Sequence, residues 1–208
     1  MVFANRHQAA KLLAETLIAY KGQRPLVLAI PRGAVPMGLQ LATALEGDLD
    51  VVLVRKLRAP FNPEFAIGSI DESGWTYIAD YAESAGGTAA YLEQEKKLQL
   101  ETIRKRRAQY TPLRPPIDPA GRIVIVVDDG LATGATMISA LHALRDKKPA
   151  KLICAVPVAP PDTLEKIRGY ADEVVCLQAP KLFQAVGQFY ADFPQVEDGE
   201  VEAILRQA

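Results

Sequence analysis

The sequence is poor in the residues that build disulfide frameworks and most metal centres. It has two cysteines and two histidines among 208 residues. Cys154 and Cys176 lie in separate apolar runs, with no second cysteine or histidine at metal-ligand spacing. His7 and His142 each stand alone on a predicted helix. We therefore interpret both cysteines as core thiols and expect no disulfide scaffold.

The chain also lacks a charge excess and a long hydrophobic run. Its formal net charge is -1, so the overall field does not attract a polyanion such as nucleic acid or an acidic membrane surface. The longest apolar runs have the length of a strand, and the N-terminus has no apolar core of a signal peptide. We expect a cytoplasmic protein that has neither a nucleic-acid nor a membrane partner.

What the sequence does contain is the ordinary balance of a globular protein, with 49% hydrophobic and 24% charged residues. A chain of this length buries roughly 70% of its surface on folding and needs no disulfide or structural metal for stability. We find no internal repeat and no low-complexity segment. Residues 1–208 are predicted to form one domain.

Five short segments rich in branched aliphatic residues predict five strands. They are apolar at every position rather than alternating, which is typical of parallel strands that are covered on both faces. The predicted strands are Leu26–Ile30, Val51–Val54, Ile123–Val127, Leu152–Val158 and Glu173–Leu177.

Between these strands lie segments with helical spacing of their apolar residues. The alternation of strand and helix predicts an α/β fold with an open, mainly parallel sheet and helices on both faces. The predicted helices are Arg6–Tyr20, Val35–Leu45, Ala135–Arg145 and Asp162–Gly169.

The alternation is interrupted by an insertion from 59 to 120, which is too long for a simple loop. Its first half predicts a β excursion, and residues 88–110 predict an amphipathic helix with Leu92, Leu98 and Ile103 among charges. The basic run 104–107 on that helix would suit an anion, but we interpret it as a solvated helix end.

A tail, residues 179–208, follows the last predicted strand. It has four aromatic residues between Phe183 and Phe193, and a final segment that predicts a helix capped by Asp198. The aromatic residues would suit stacking on a flat ligand or, equally, sealing of the core.

The stretch VIVVDDGLATGATM, residues 124–137, has the clearest chemical pattern. Asp128 and Asp129 follow a buried strand, at the sheet edge where open α/β proteins bind ligands. The small residues of GLATGAT allow a tight loop whose N–H groups converge at the start of a helix, which is a site for an anion. Thr133 and Thr136 add hydroxyl donors.

This stretch matches neither the P-loop pattern nor the GxGxxG dinucleotide pattern. A phosphate cradle beside two carboxylates suits a ligand that has vicinal hydroxyls next to its phosphate, and ribose 5-phosphate has that layout. The alternative is a glycine-rich turn after two solvated acids.

The run VIVVDDGLATGAT resembles the binding motif of the type I phosphoribosyltransferases for 5-phosphoribosyl 1-diphosphate (PRPP). In that family the two acids contact the ribose 2- and 3-hydroxyls, and the loop binds the 5-phosphate. The resemblance implies that Asp128 and Asp129 contact the ribose. It implies phosphate binding by the loop residues Gly130, Leu131, Ala132, Thr133, Gly134, Ala135 and Thr136.

The family also has a short diphosphate loop after its first core strand, often with a non-proline cis peptide bond. The stretch LVLAIPRGAVPMG is similar to it and implies that Arg32 and Gly33 bind the diphosphate. After the second predicted strand, the Arg55-Lys56 pair implies that Lys56 binds the diphosphate too. A mobile lid follows that strand in the family, and RAPFNPEFAIGS, with Arg58 and Glu64, matches it by position.

The resemblance implies a transferase of nucleotide metabolism that moves the 5-phosphoribosyl group from PRPP to a nitrogen acceptor and releases diphosphate. Mg2+ is the implied cofactor, held by Asp128 and Asp129 either directly or through ribose hydroxyls and water. Family members are often dimers, so a homodimer is compatible with it. Two alternatives are a non-catalytic PRPP- or nucleotide-binding regulator and a PRPP-making diphosphokinase, which needs two tandem domains.

The acceptor site is expected in a variable hood, for which the tail segment Lys181–Phe193 is the candidate. Nothing in the sequence selects a purine, a pyrimidine or another amine.

Overall fold

The computed structural model of the protein describes residues 2–208. It has eight strands: β1 Leu26–Ala29, β2 Asp48–Val51, β3 Val54–Ala59, β4 Asn62–Asp71, β5 Thr76–Ile78, β6 Ile123–Val127, β7 Lys151–Val158 and β8 Glu173–Gln178. It has six α-helices: α1 Arg6–Thr16, α2 Val35–Leu45, α3 Ala89–Tyr110, α4 Ala135–Arg145, α5 Pro161–Arg168 and α6 Asp198–Gln207.

The central sheet has five parallel strands in the order β2-β1-β6-β7-β8. β1 lies between β2 and β6, and Ala29 pairs with Val51 on one side and Val127 on the other. The carboxyl ends of these three strands therefore meet at one edge. This edge positions the loops that follow β1 and β6.

Successive residues of the central strands point to opposite faces of the sheet. Val27 and Ile125 belong to a core cluster with residues of α1, α2 and α6, whereas Leu26 and Val124 belong to a second cluster with residues of α4 and α5. Each face is thus covered by helices, which confirms the predicted open parallel α/β fold.

The first half of the insertion forms a second, antiparallel sheet in the order β3-β4-β5, as the predicted β excursion requires. Its β4 strand packs on α4, where the Ser69 hydroxyl lies 2.6 Å from both the Ala135 carbonyl and the Ser139 hydroxyl. Trp75 stacks on His142 with ring centroids 3.6 Å apart. The second sheet is thereby fixed against the helix that follows the phosphate-type loop.

The predicted strand Val51–Val54 was placed wrongly, because this apolar run spans the end of β2 and the start of β3. β2 instead includes Asp50, which is 3% exposed. Its carboxylate accepts hydrogen bonds from the N–H groups of Val51 at 2.7 Å and Ile117 at 2.8 Å. A buried acid satisfied by backbone donors does not show in a hydrophobicity pattern.

The long helix of the insertion is present as α3, but its predicted apolar face is wrong in part. Leu98 is 50% exposed, whereas Glu95 and Gln99 are buried together with Ile103. The C-terminal helix is also present, but Asp198 is its first residue, and Glu197 stands at the cap position.

Both cysteines are free; Cys154 is buried, and its burial raises the pKa of its thiol. Among residues 2–208, no helix is both long and apolar enough to cross a membrane.

Candidate active site

The loop between β6 and α4 is shaped by Gly134, which stands directly before the helix with a φ of 78°. This left-handed backbone favours glycine, and a Cβ here would come 2.8 Å from Thr163 Cγ2. The Thr163 hydroxyl donates to the Ala132 carbonyl at 2.7 Å and holds the loop from outside. The N–H groups of Thr133 and Thr136 find no acceptor within residues 2–208, so they are available to an anion.

The two acids lie where the sequence predicted, at the carboxyl end of β6. Asp128 Oδ1 accepts the N–H of Asp129 at 2.9 Å. Burial raises the pKa of Asp128 well above its ordinary value, and the neighbouring charge of Asp129 raises it further. Burial also raises the pKa of Asp129, although there Arg6 opposes the shift. The two carboxyl groups are therefore not equivalent.

Asp129 is held by Arg6, the first residue of α1. The Nε and Nη2 atoms of Arg6 each lie 2.9 Å from Asp129 Oδ2. The third nitrogen, Nη1, donates to the Pro194 carbonyl at 2.6 Å, and the guanidinium lies 3.8 Å from the centre of the Phe193 ring. Sequence reasoning missed Arg6, because no local pattern links it to an acid in a distant loop.

The loop after β1 contacts the acidic loop, as adjacent strands predict. A Cβ on Gly33 would lie 2.3 Å from Asp129 Oδ2, so the glycine permits this close approach. The peptide bond between Pro31 and Arg32 is cis. The Arg32 guanidinium lies 3.4 Å from Asp198 and 3.8 Å from Glu197, at the start of α6. The structure thus places Gly33 beside the acids and directs Arg32 toward α6.

Lys56 lies in β3 of the second sheet rather than directly after a strand of the central one. Its side chain is exposed. Its charge lowers the pKa of both Asp128 and Asp129, so it is close enough to act on the acidic pair without forming an ion pair with it. The predicted diphosphate lysine is therefore near the site, although it comes from a different element.

The candidate lid segment forms a hairpin between β3 and β4. Only Pro60 and Phe61 connect β3 to β4, and the Phe61 side chain is 92% exposed. Arg58 is bound to Glu95 of α3 at 3.2 Å, and Glu64 is exposed within β4. The segment that matches the family's lid by position is therefore a tight hairpin with an exposed ring.

The tail lies against the acids through its aromatic residues. The Tyr190 hydroxyl donates to the Asp129 carbonyl at 2.6 Å, and Phe3 exchanges backbone hydrogen bonds of 2.8 Å with Phe189 and Ala191. The Phe193 ring stacks on Tyr190 with centroids 4.7 Å apart. The Arg6 guanidinium also lies over this ring, so Phe193 already has two stacking partners. Lys181 is exposed.

The acids do not form a complete metal centre from protein atoms. No group of three or more histidine, cysteine, aspartate or glutamate side chains is arranged to hold a metal ion in residues 2–208. Protein-bound Mg2+ commonly keeps several waters and uses one or two carboxylates together with substrate phosphates. Asp128 and Asp129 fit that mode.

A strand edge with an anion loop, two acids and a second glycine loop is typical of α/β proteins that bind phosphorylated sugars or nucleotides. The family is defined by comparison: residues 1–194 match the model of the phosphoribosyl transferase domain. The chain belongs to the phosphoribosyl transferase family.

Relatives support this assignment. Two proteins of Mycobacterium tuberculosis, Rv0571c and MT0597, carry provisional names as phosphoribosyl transferases. Each is 41% identical to this chain over 210 residues, which cover 100% of it. The chain spans 47% of their length.

Solved structures show the same fold. The protein TT1426 from Thermus thermophilus is 44% identical with a TM-score of 0.82, over 100% of this chain and 99% of that one. A purine phosphoribosyltransferase from Pyrococcus horikoshii is 15% identical with a TM-score of 0.51, over 93% of each chain, and shows the fold alone.

Proposed function

We propose that this chain is a Mg2+-dependent transferase that moves the 5-phosphoribosyl group from PRPP to a nitrogen acceptor, in nucleotide metabolism, and releases diphosphate. The observation that carries the proposal is the contact between Gly33 and Asp129, because it brings the predicted diphosphate loop against the predicted ribose acids. The phosphate-type loop follows the same acids directly in the chain.

Each part of PRPP has a proposed partner. The 5-phosphate is bound by the N–H groups and hydroxyls of residues 130–136, and the ribose hydroxyls donate to Asp128 and Asp129. Gly33, Lys56 and Arg32 contact the diphosphate. Support comes from the free N–H groups at the start of α4 and from the effect of the Lys56 charge on the pKa of the acids.

Breaking the C1–O bond of PRPP builds positive charge on the sugar and negative charge on the departing diphosphate. The protein's task is to position the reactants and stabilise these charges, and no covalent nucleophile is required. Asp128 and Asp129 face the cationic sugar, and Lys56 stabilises the leaving group. Asp128 and Asp129 would hold Mg2+, which would supply further positive charge at the diphosphate.

The proposed acceptor is a nitrogen base, most simply a nucleobase, and the proposed hood is formed by both ends of the chain. Phe193 would offer a stacking surface, but Arg6 and Tyr190 both stack on its ring. An acceptor that stacks on Phe193 would therefore compete with Arg6 or Tyr190 for the ring.

The proposal is tested by titrating the protein calorimetrically with PRPP in the presence of Mg2+ and then measuring diphosphate release across a panel of nucleobases and other amines. Saturable binding with turnover on one acceptor is expected. The paired substitution of Asp128 and Asp129 by Asn should weaken PRPP binding, and unchanged affinity in this variant would contradict the site. Binding without turnover on any acceptor would favour the regulatory alternative.

We further propose that residues 1–208 form one domain, that the protein assembles as a homodimer and that it is cytoplasmic. A single cooperative unfolding transition, sedimentation equilibrium and cell fractionation test these three points separately.

A further inference from the structure

Two buried hydroxyl groups join the second sheet to the start of α4. The Ser69 Oγ atom of β4 lies 2.6 Å from the Ala135 carbonyl and 2.6 Å from the Ser139 hydroxyl. A carbonyl oxygen can only accept, so Ser69 donates its one proton to Ala135, and Ser139 donates to Ser69. Because Ala135 is the first residue of α4, Ser69 ties β4 to the first turn of the helix that follows the loop after β6.

Packing alone does not require these hydroxyl groups. Ser69 and Ser139 are both 0% exposed, and burial of a hydroxyl group costs free energy unless it is hydrogen-bonded. The core cluster on this side of α4 includes Val54, Ile138 and Leu141, which are all apolar. An alanine at position 69 would bury no polar group and would fit the same space. The Ser69 hydroxyl therefore needs a reason other than core formation.

Lys56 stands beside Ser69 in the second sheet. The two residues are direct partners in the pairing of β3 with β4. Direct partners in antiparallel strands project from the same face of a sheet, with Cβ atoms about 5 Å apart. Val54, which shares this face with Lys56, packs in the cluster that contains residues of α4. Lys56 thus leaves the sheet on the side of α4, and its charge acts on Asp128 and Asp129.

The loop before α4 and the far end of α4 have supports of their own. The Thr163 hydroxyl holds the Ala132 carbonyl of the loop at 2.7 Å. In the last turn of α4, His142 stacks on Trp75 and keeps the second sheet against the helix. Ser69 adds a direct hydrogen bond between the strand beside Lys56 and the first turn of α4.

We propose that Ser69 is a positioning residue of the PRPP site, which fixes the separation between the loop that binds the 5-phosphate and Lys56, which contacts the diphosphate. These two groups lie at opposite ends of the ligand. A separation that is fixed before binding spares the protein the cost of ordering both groups when the ligand binds. Ser69 is buried, so it acts through α4 and Lys56 rather than on the ligand. This inference rests on the proposed function, because it takes PRPP as the ligand that spans both groups.

The first test is calorimetric titration of wild type and Ser69→Ala with PRPP and, separately, with ribose 5-phosphate. We expect Ser69→Ala to weaken PRPP binding about fivefold, the loss of one neutral hydrogen bond. Ribose 5-phosphate binding should change by less than about twofold, because the loop keeps its own supports. Equal PRPP affinity in the two proteins, or an equal loss for both ligands, would overturn the link to Lys56.

The Ser69→Ala variant is expected to fold. The Ser139 hydroxyl can turn to the Ala135 carbonyl, four residues earlier on its own helix, so no buried polar group is left without a partner. Trp75 is the only tryptophan of the chain, and its stacking on His142 makes its fluorescence a report on this interface. Unchanged fluorescence shows that the second sheet still lies against α4.

Two other serine variants serve as comparisons. Ser73→Ala removes a hydroxyl group from the turn between β4 and β5, where it donates to Asp71 at 2.6 Å, and should bind PRPP as wild type does. Ser139→Ala leaves the bond from Ser69 to Ala135 in place, so its loss of PRPP affinity should be smaller than that of Ser69→Ala. A loss in Ser139→Ala as large as that in Ser69→Ala would assign the effect to general packing of α4 and overturn the positioning role.

The dependence on Lys56 is tested by a double variant. Lys56→Gln should weaken PRPP binding about tenfold, because it removes a charge-assisted contact. Adding Ser69→Ala to Lys56→Gln should cause less than about a twofold further loss, since Ser69 acts through Lys56. Additive losses in the double variant would overturn the inference.

Failure of this inference can be told apart from failure of the proposed function. PRPP binding that depends on Ser69 through Lys56, without turnover on any acceptor, would leave the positioning role standing and remove the reaction. PRPP turnover with the same kcat and KM in wild type and Ser69→Ala would leave the reaction standing and remove the positioning role. A wild-type protein that does not bind PRPP would remove both.

Discussion

Arg6 contacts Asp129 through two nitrogen atoms, Nε and Nη2, each 2.9 Å from the same carboxylate oxygen. The side chains are only 12% and 15% exposed. This ion pair fixes the start of α1 over the acidic loop, and the same guanidinium holds the tail through Pro194 and Phe193. One arginine therefore ties both ends of the chain to the proposed ribose site.

Arg6→Ala should destabilise the protein by about 3 kcal/mol, because removal of one partner of a buried ion pair leaves the other charge unpaired. Urea unfolding monitored by circular dichroism measures this change. Arg6→Lys is the matched control. Lysine keeps the charge but cannot form both contacts, so this variant should lose less stability than Arg6→Ala. An Arg6→Ala variant as stable as wild type would show that the pair contributes nothing.

Asp128→Asn should stabilise the protein by about 1 kcal/mol at pH 7 in metal-free and phosphate-free buffer, because it replaces a buried carboxyl group beside a second acid by a neutral amide. The pKa of Asp128 is raised in the folded state, so its stabilising contribution is present below its unfolded pKa and is lost as the pH rises through the folded value. The advantage of Asn should therefore shrink as the pH falls toward about 4.

The measurement for Asp128→Asn is the free energy of unfolding at a series of pH values. Asp192→Asn, at an exposed position, is the control and should track wild type throughout. A stability difference for Asp128→Asn that grows as the pH falls would have the wrong sign for a raised pKa.

Gly33→Ala should weaken PRPP binding by about tenfold or more, because the added Cβ would lie 2.3 Å from Asp129 Oδ2 and 3.2 Å from Arg6 Nη2. The acid and its arginine must then move, at a cost of about 1–3 kcal/mol in stability. Calorimetry and urea unfolding measure the two effects. Gly199→Ala, in open space in α6, should bind PRPP normally, whereas full PRPP affinity in Gly33→Ala would contradict the close contact.

Gly134→Ala should lower both stability and affinity for ribose 5-phosphate. A φ of 78° costs a residue with a Cβ about 1–2 kcal/mol, and the Cβ would also lie 2.8 Å from Thr163 Cγ2. Adding Thr163→Ser removes that methyl group but keeps the hydroxyl that holds Ala132. Partial recovery of stability in the double variant is expected, and no recovery would assign the whole cost to the backbone.

The fold was predictable where a strand is continuously apolar. Ile123–Val127 was predicted with the bounds that the structure has, because a strand covered on both faces needs apolar residues at each position. The bounds of β2 were not predicted, because Asp48 and Asp50 interrupt its apolar pattern. The backbone donors that satisfy Asp50 come from Val51 and from Ile117, and Ile117 is distant in the sequence.

The face of α3 shows the same limit of pattern reasoning. Leu98 is exposed and its neighbour Gln99 is buried, because Gln99 binds an arginine of another element. Hydrophobic periodicity predicted the helix but could not predict which polar residue finds a partner inside.

By itself the sequence determined the acidic strand end, the small-residue loop and the helix after it, since residues 124–137 form these features from their own backbone conformations and side-chain sizes. Tertiary structure alone decided which cations act on the two acids: Arg6 pairs with Asp129, and the charge of Lys56 reaches the pair from the second sheet. Long side chains pair according to how separate elements pack, and that information is not local to any stretch of the chain.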